Sequence, residues 1–203
     1  FRGAACQSPA MFRALVPLLF SLAGASALAA ENTSAYTPID LDACAVEEPG
    51  DEYVFEGSWR CKGIPGYDIV VAGADARSLV GFGGEMANNC SYGTTFSPFN
   101  SFGSPVEWRY SGKTPIAAIQ RWTLSTDENG GTATWLVVSK LADRTLCPAH
   151  YVAGSFPMAN EAARRAADML VGEFDCENDT PTYDSKIGAP PISLEACSAQ
   201  ARE

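Results

Sequence analysis

Cysteines that follow a secretory leader are the feature that most constrains how this chain can fold. Residues 11–30 begin with a methionine, carry one positive charge at Arg13, continue as a short apolar run, and reach an Ala-x-Ala cleavage pattern at residues 27–29. This run falls short of the ~20 apolar residues that span a bilayer, so we expect a cleaved signal peptide and no stable membrane insertion afterwards. An exported chain folds where thiols oxidise, and its cysteines are therefore expected to form disulfides.

The cysteines that remain after the leader are even in number, which predicts up to three disulfides. Residues 1–10 precede the expected initiator methionine and are interpreted as upstream, non-structural sequence, so Cys6 lies outside the folded protein. Among the many pairings that are possible we expect Cys44–Cys61, Cys147–Cys176 and Cys90–Cys197. The alternative, in which some of these cysteines are free buried thiols, stays open. The disulfide candidates are Cys44, Cys61, Cys90, Cys147, Cys176 and Cys197.

The order of short strands and turns predicts the fold class α+β, with an antiparallel β-meander sheet covered by one C-terminal α-helix and stapled by disulfides. Aromatic and β-branched runs alternate with turn residues, for example at residues 63–66 and at the Asn-Gly turn of residues 127–131. The spacing leaves no room for crossover helices between these strands. We assign residues 31–176 to a single domain. Residues 177–203 form a polar C-terminal tail, which Cys197 is expected to fold back.

A single helix is predicted towards the end of the domain. Asn160 is a suitable N-cap, and the acidic residue after it suits the positive end of the helix dipole. Arg164 and Asp168 lie four positions apart, so an ion pair between them is expected. An apolar stripe rich in alanine follows the helical period and lets the helix lie close to a sheet. The stripe consists of Ala163, Ala166, Ala167, Leu170 and Phe174.

The net charge and the reactive side chains exclude several function classes. The formal charge of −10 at pH 7 repels nucleic acid, whereas a basic envelope protein is an electrostatically suitable partner. The chain has one histidine, His150, and oxidised cysteines leave too few ligands for zinc, so we expect no metal and no cofactor. No Gly-x-Ser-x-Gly motif is present, and we assign no catalytic residue. Paired carboxylates stay open, because sequence spacing does not give their separation in space.

Residues 83–105 are the best candidate for a binding site in this sequence. They interrupt the rhythm of strands and combine glycine, asparagine, serine and proline with several aromatic rings. Loops of this length inside a domain are often functional, and the rings could offer an adaptable apolar surface to a ligand or partner. The competing interpretation is that the rings plug one end of the sheet while Cys90 tethers the segment. The binding-loop candidates are Tyr92, Phe96, Phe99 and Phe102.

Several blocks of the sequence carry a resemblance to known groups of proteins. They lie at residues 36–44, 59–63, 66–71 with 75–77, 159–164 and 174–176. Together they resemble a group of small uncharacterised exported proteins of alphaproteobacteria, which implies a periplasmic or secreted protein and supplies no site. The aromatic-x-Cys strand Trp59-Arg60-Cys61 before a hairpin is similar to periplasmic lysozyme inhibitors. That likeness implies an inhibitor role by analogy, although this chain is longer and adds a helix.

Three functions remain open at the level of sequence. The first is a non-enzymatic binding or inhibitor-like module that uses residues 83–105 and the neighbouring strand edges. The second is a small periplasmic hydrolase that uses carboxylates or His150, and a cleft that joins His150 to a carboxylate would favour it. The third is an envelope structural or stress protein with no small ligand.

Overall fold

The computed structural model describes residues 32–49, 56–74, 76–83, 95–127, 129–142 and 146–193. These residues form β-strands, one turn of 3-10 helix (Leu41–Ala43) and one α-helix, α1 (Ala159–Met169). The coarse fold class α+β is therefore confirmed. In chain order the strands are β1 (Thr33–Thr37), β2 (Ala45–Pro49), β3 (Gly57–Ile64), β4 (Tyr67–Ala74), β5 (Arg77–Phe82), β6 (Thr95–Phe96), β7 (Asn100–Phe102), β8 (Val106–Ser111), β9 (Thr114–Ser125), β10 (Thr132–Leu141), β11 (Leu146–Ala153), β12 (Thr182–Asp184) and β13 (Ile192–Ser193).

The strands divide over two main sheets rather than one. A four-stranded antiparallel sheet, the N-terminal sheet, has the order β2-β3-β4-β5, and a seven-stranded central sheet has the order β1-β8-β9-β10-β11-β12, with β7 also paired to β9. Strand β12 runs parallel to β11, and the first strand of the chain pairs with β8. The predicted single meander is thus not confirmed, because turn residues reveal neighbouring strands but give no sign of pairings between distant ones.

An apolar cluster between the inward faces of the two sheets forms the main core. Trp108 on β8 is fully buried at its centre and packs edge-on against Phe82 of the other sheet, with ring centroids 5.3 Å apart. Its indole Nε1 donates to the hydroxyl of Thr37 at 2.9 Å, so the polar atom of this buried ring is satisfied. The same tryptophan therefore joins both sheets and the edge strand β1.

Helix α1 covers the opposite face of the central sheet through small side chains. Alanines let its backbone lie close to β9, β10 and β11, and the predicted stripe is confirmed at these positions. Leu170 is 42 % exposed because the helix ends one residue earlier, and Val171 is buried in its place. In the described part of the chain, no helix combines the length and apolar character that a bilayer crossing requires. The buried alanines of α1 are Ala162, Ala163, Ala166 and Ala167.

The beginning of α1 differs from the sequence prediction. The helix starts at Ala159 with Met158 as its N-cap residue, and no side chain caps it. Asn160 lies within the first turn, where its Oδ1 accepts a hydrogen bond from Nη2 of Arg121 on β9 at 2.7 Å. The predicted cap at Asn160 is therefore wrong. The side-chain oxygen of Asn160 accepts from Arg121 of the sheet instead of from a backbone N–H of the helix.

Both disulfides in the described residues match the expected pairings. Cys44–Cys61 joins the end of the 3-10 turn to β3, and Cys147–Cys176 joins β11 to the segment after α1. Cys90 and Cys197 lie outside the described residues, so their pairing stays a prediction. Thr95 and Ser193 are the described residues nearest in sequence to Cys90 and Cys197. They lie opposite each other in the antiparallel pair β6–β13.

Part of the predicted polar tail packs on the rest of the structure. Residues 182–193, here named the C-terminal strap, begin as β12 on the outer edge of the central sheet beside β11. They end as β13, where Ile192 pairs with Phe96 of β6 and packs against the main core. The strap therefore connects one edge of the central sheet to residues 83–105, here named the aromatic segment.

Candidate functional site

The described rings of the aromatic segment point in two directions. Phe96 is 1 % exposed and contacts the rings of Trp122 and Tyr151 at centroid distances of 5.6 and 6.1 Å. Phe102 is half-buried against the same cluster, whereas Phe99 is 58 % exposed. Tyr92 lies outside the described residues. The described part of the segment thus combines a plug, formed by two rings, with one ring that is presented to solvent.

Asn100 fixes the backbone of the aromatic turn, which we define as residues 96–101. Its side-chain amide donates to the carbonyl oxygens of Phe96 and Pro98 at 3.0 and 2.9 Å, and also to Oγ1 of Thr95 at 3.1 Å. Its Oδ1 accepts from the backbone N–H of Ser78 on β5 at 3.0 Å. A single asparagine therefore closes the turn and attaches it to the edge of the N-terminal sheet.

Phe99 lies beside the tip of the β9–β10 hairpin. Its carbonyl oxygen accepts from the N–H of Ser125 at 2.9 Å, and two residues further along is Asp127. Backbone N–H groups of Gly131 and Asn129 donate to the Asp127 carboxylate and lower its pKa, so it remains charged. An exposed ring and a fixed negative charge are consequently found at the same end of the central sheet.

His150 forms a second polar constellation, on the central sheet beneath the strap. The imidazole is 5 % exposed, and its Nδ1 lies 2.7 Å from Oγ1 of Thr182, while its Nε2 lies 3.5 Å from Oδ2 of Asp184. Burial lowers the pKa of His150 from its ordinary value, and the nearby Asp184 carboxylate acts in the opposite direction. The imidazole is therefore neutral at neutral pH and bridges a hydroxyl and a carboxylate of β12.

Two charged residues of α1, Arg164 and Asp168, form ion pairs with the sheet instead of with each other. Arg164 donates from Nε and Nη2 to the Glu107 carboxylate at 2.6 and 3.2 Å, and Arg109 donates from Nε and Nη2 to Asp168, both at 2.7 Å. These bonds raise the pKa of both arginines. The predicted pair Arg164–Asp168 is thus wrong. Ser34 of β1 donates to Glu107 at 2.6 Å and completes the network, so these charges serve packing rather than ligand binding.

Two cavities of very different size lie among the described residues. An internal cavity of about 10 Å³ lies beneath Phe96 and beside Gln120, whose Oε1 has no hydrogen-bond partner there. This is about the volume of one water molecule. An open groove of about 370 Å³ borders Cys176, and the Lys140 ammonium beside it donates to the carbonyl of Phe174 at 2.7 Å. Among the described residues, no group of three potential ligands could hold a metal ion.

The sequence identified the aromatic segment and His150 but missed several residues that surround them. Asn100 and Asp127 hold turns, and their residue types in Gly/Ser-rich surroundings were the available signal. Thr182 and Asp184 gave no signal, because they lie far from His150 in the sequence and meet it through a parallel strand pair. Comparisons with protein-family models, curated proteins and solved structures find no match to this chain. Its function is therefore inferred from its own residues.

Proposed function

We propose that this chain is an exported, non-enzymatic binding or inhibitor-like module that contacts a partner protein through the aromatic turn. The observation that carries the proposal is Phe99, which is 58 % exposed on a backbone that is fixed on both sides. The Phe99 carbonyl is bonded to Ser125, and Asn100 next to it holds the turn closed. A large ring on a preorganised turn loses little conformational freedom on binding, which is typical of an interface anchor.

The charge of the chain favours a basic partner. The formal charge is −10, and Asp127 keeps its negative charge at the hairpin tip beside the aromatic turn. Complementary charge speeds encounter and orients the partner before apolar contacts form. A basic, lysozyme-type hydrolase of the cell envelope has this chemistry. An inhibitor role also agrees with the analogy drawn from Trp59-Arg60-Cys61.

The same proposal places the protein in the periplasm or outside the cell. Two disulfides in the described residues support an oxidising compartment, where thiols do not stay reduced. The leader expected at residues 11–30 supports the same compartment.

The test of the binding function is the variant Phe99→Ala. The partner is first captured from periplasmic extract with the mature, oxidised protein, and purified basic lysozyme-type hydrolases are titrated in parallel by calorimetry. Removal of an anchoring ring is expected to weaken binding about 30-fold, which corresponds to about 2 kcal/mol. Val46→Ala on β2 is the matched control, because Val46 is also 58 % exposed, and it should bind as the wild type does. Equal affinities of Phe99→Ala and wild type would contradict the proposal.

A second candidate function, a hydrolase, is favoured by the contacts of His150. The neutral imidazole could accept the proton of the exposed Thr182 hydroxyl at Nδ1, while Asp184 orients it from Nε2. Hydrolysis of small chromogenic esters by the wild type and by Thr182→Val tests this candidate. A hydrolase should lose at least about 100-fold in turnover when the hydroxyl is removed. Activity that is absent from the wild type, or equal in both proteins, would eliminate it.

A further inference from the structure

The C-terminal strap is attached to the rest of the structure chiefly at its two ends. At one end, β12 pairs with β11 over three residues, and Thr182 and Asp184 contact His150. At the other end, β13 pairs with β6 over two residues, and the Pro191 carbonyl accepts from the N–H of Ser97 in the aromatic turn at 2.8 Å. Residues 186–189 between these ends are exposed. Ladders of two or three residues contribute little stability, so each contact at the ends of the strap affects whether the strap stays docked.

The contact at His150 is sensitive to protonation. Its Nε2 is buried and lies 3.5 Å from Oδ2 of Asp184 on β12, which is the charged group that faces the ring. Strand β10 places the apolar Val138 opposite His150, and α1 packs alanines on this face of the sheet. A proton on the imidazole would therefore place a positive charge in an apolar site, where one partly exposed carboxylate offsets only part of the desolvation cost.

The direction of the pH effect follows from the pKa shift. Burial lowers the pKa of His150 while the strap is docked, whereas a released strap leaves the imidazole near its ordinary value of about 6.5. The released state then binds more protons below about pH 6.5. Docking is at full strength above that pH and weakens as the pH falls through it, until the docked imidazole is itself protonated.

We infer that the C-terminal strap is an acid-sensitive latch on the aromatic turn, closed at neutral pH and released when His150 takes up a proton. When β12 separates from β11, the strap can move away from the aromatic turn. The hydrogen bond from the Ser97 N–H to the Pro191 carbonyl and the pairing of Ile192 with Phe96 are then lost. The aromatic turn then loses one of its supports, so Phe99 is held less firmly, by the remaining bonds of Asn100 and Ser125 alone. The consequence for partner binding rests on the proposed function of this turn, but the latch itself does not.

Hydrogen exchange on the mature, oxidised full chain between pH 8 and pH 5 tests the latch without any partner. Protection of the amides of Thr182–Asp184 and of Ser97, corrected for intrinsic exchange rates, should fall by up to about tenfold per pH unit below about pH 6.5. Amides of the core strand β10 should show no such dependence. Protection of the strap that does not change with pH would overturn the latch.

Two variants distinguish the titration of His150 from its contact with Thr182. His150→Asn keeps a polar atom near the position of Nδ1 but does not titrate, so its strap protection should be independent of pH. Thr182→Val removes the hydroxyl and should lower protection at every pH while the slope remains. A pH slope that persists in His150→Asn would assign the effect to another group and overturn the inference. If the strap responds to pH but Phe99→Ala binds as the wild type does, the proposed function fails and the latch stands.

Discussion

Replacement of both Cys147 and Cys176 by alanine is expected to lower the free energy of unfolding by about 3.5 kcal/mol. The bond closes a loop with a sequence separation of 29 residues, which contains most of β11 and all of α1. Without it, the unfolded chain gains conformational freedom, and the folded chain loses the fixed point from which it continues towards the strap. Equilibrium denaturation in urea, monitored by tryptophan fluorescence, measures the change.

The paired replacement of Cys44 and Cys61 is the matched control for this prediction. That loop has a separation of 17 residues, so the expected loss is smaller, at about 3 kcal/mol. Only the first variant should also lose exchange protection in the C-terminal strap. Denaturation midpoints equal to that of the wild type in the Cys147/Cys176 variant would show that this bond contributes nothing to stability.

Arg164→Met is expected to destabilise the fold by about 2 kcal/mol. The methionine keeps an unbranched apolar stem but leaves Glu107, which is 8 % exposed, without its main cationic partner. Breaking a buried pair typically costs ~3–5 kcal/mol, and the smaller value is expected because Arg109 and the Ser34 hydroxyl remain near the carboxylate. Urea denaturation at pH 7 measures the change.

Arg165→Met on the same helix turn is the control for Arg164→Met. Arg165 is exposed, and its replacement should change the unfolding free energy by less than about 0.5 kcal/mol. The double variant Glu107→Gln/Arg164→Met should recover part of the loss, because an amide without a charge is less costly to bury than an unpaired carboxylate. An equal effect of the two single arginine variants would mean that the ion pair with Glu107 is not stabilising.

Local features of the fold were predictable from the sequence. Gly66 has a φ of 88°, as a tight turn between β3 and β4 requires, and the Asn-Gly turn joins β9 to β10 with Gly130 at a φ of 85°. The alanine stripe of α1 predicted a helix packed close to a sheet. These features depend on residues that are neighbours in the sequence, where residue type alone restricts the backbone.

Apart from the two disulfides, features that depend on distant partners were not predictable. Asn160 and Arg164 fit local rules for a cap and for an intrahelical pair, yet both side chains bond to residues of the central sheet. A tertiary partner gives a stronger interaction than the few tenths of a kcal/mol of an exposed helical pair. In the candidate site, composition identified the aromatic segment. Which ring faces solvent was decided by the packing of Phe96 beside Trp122 and by the bonds of Asn100.

The pairing of β1 with β8 sets an order of events for a chain that is synthesised from its N-terminus. Thr33 is made early, but its partner Tyr110 follows only after the whole N-terminal sheet has been made. Until then the first strand is an open hydrogen-bonding edge, which is a hazard for aggregation. Sheet closure must therefore wait for the middle of the polypeptide, and β12 and β13 can be added only after the other described strands.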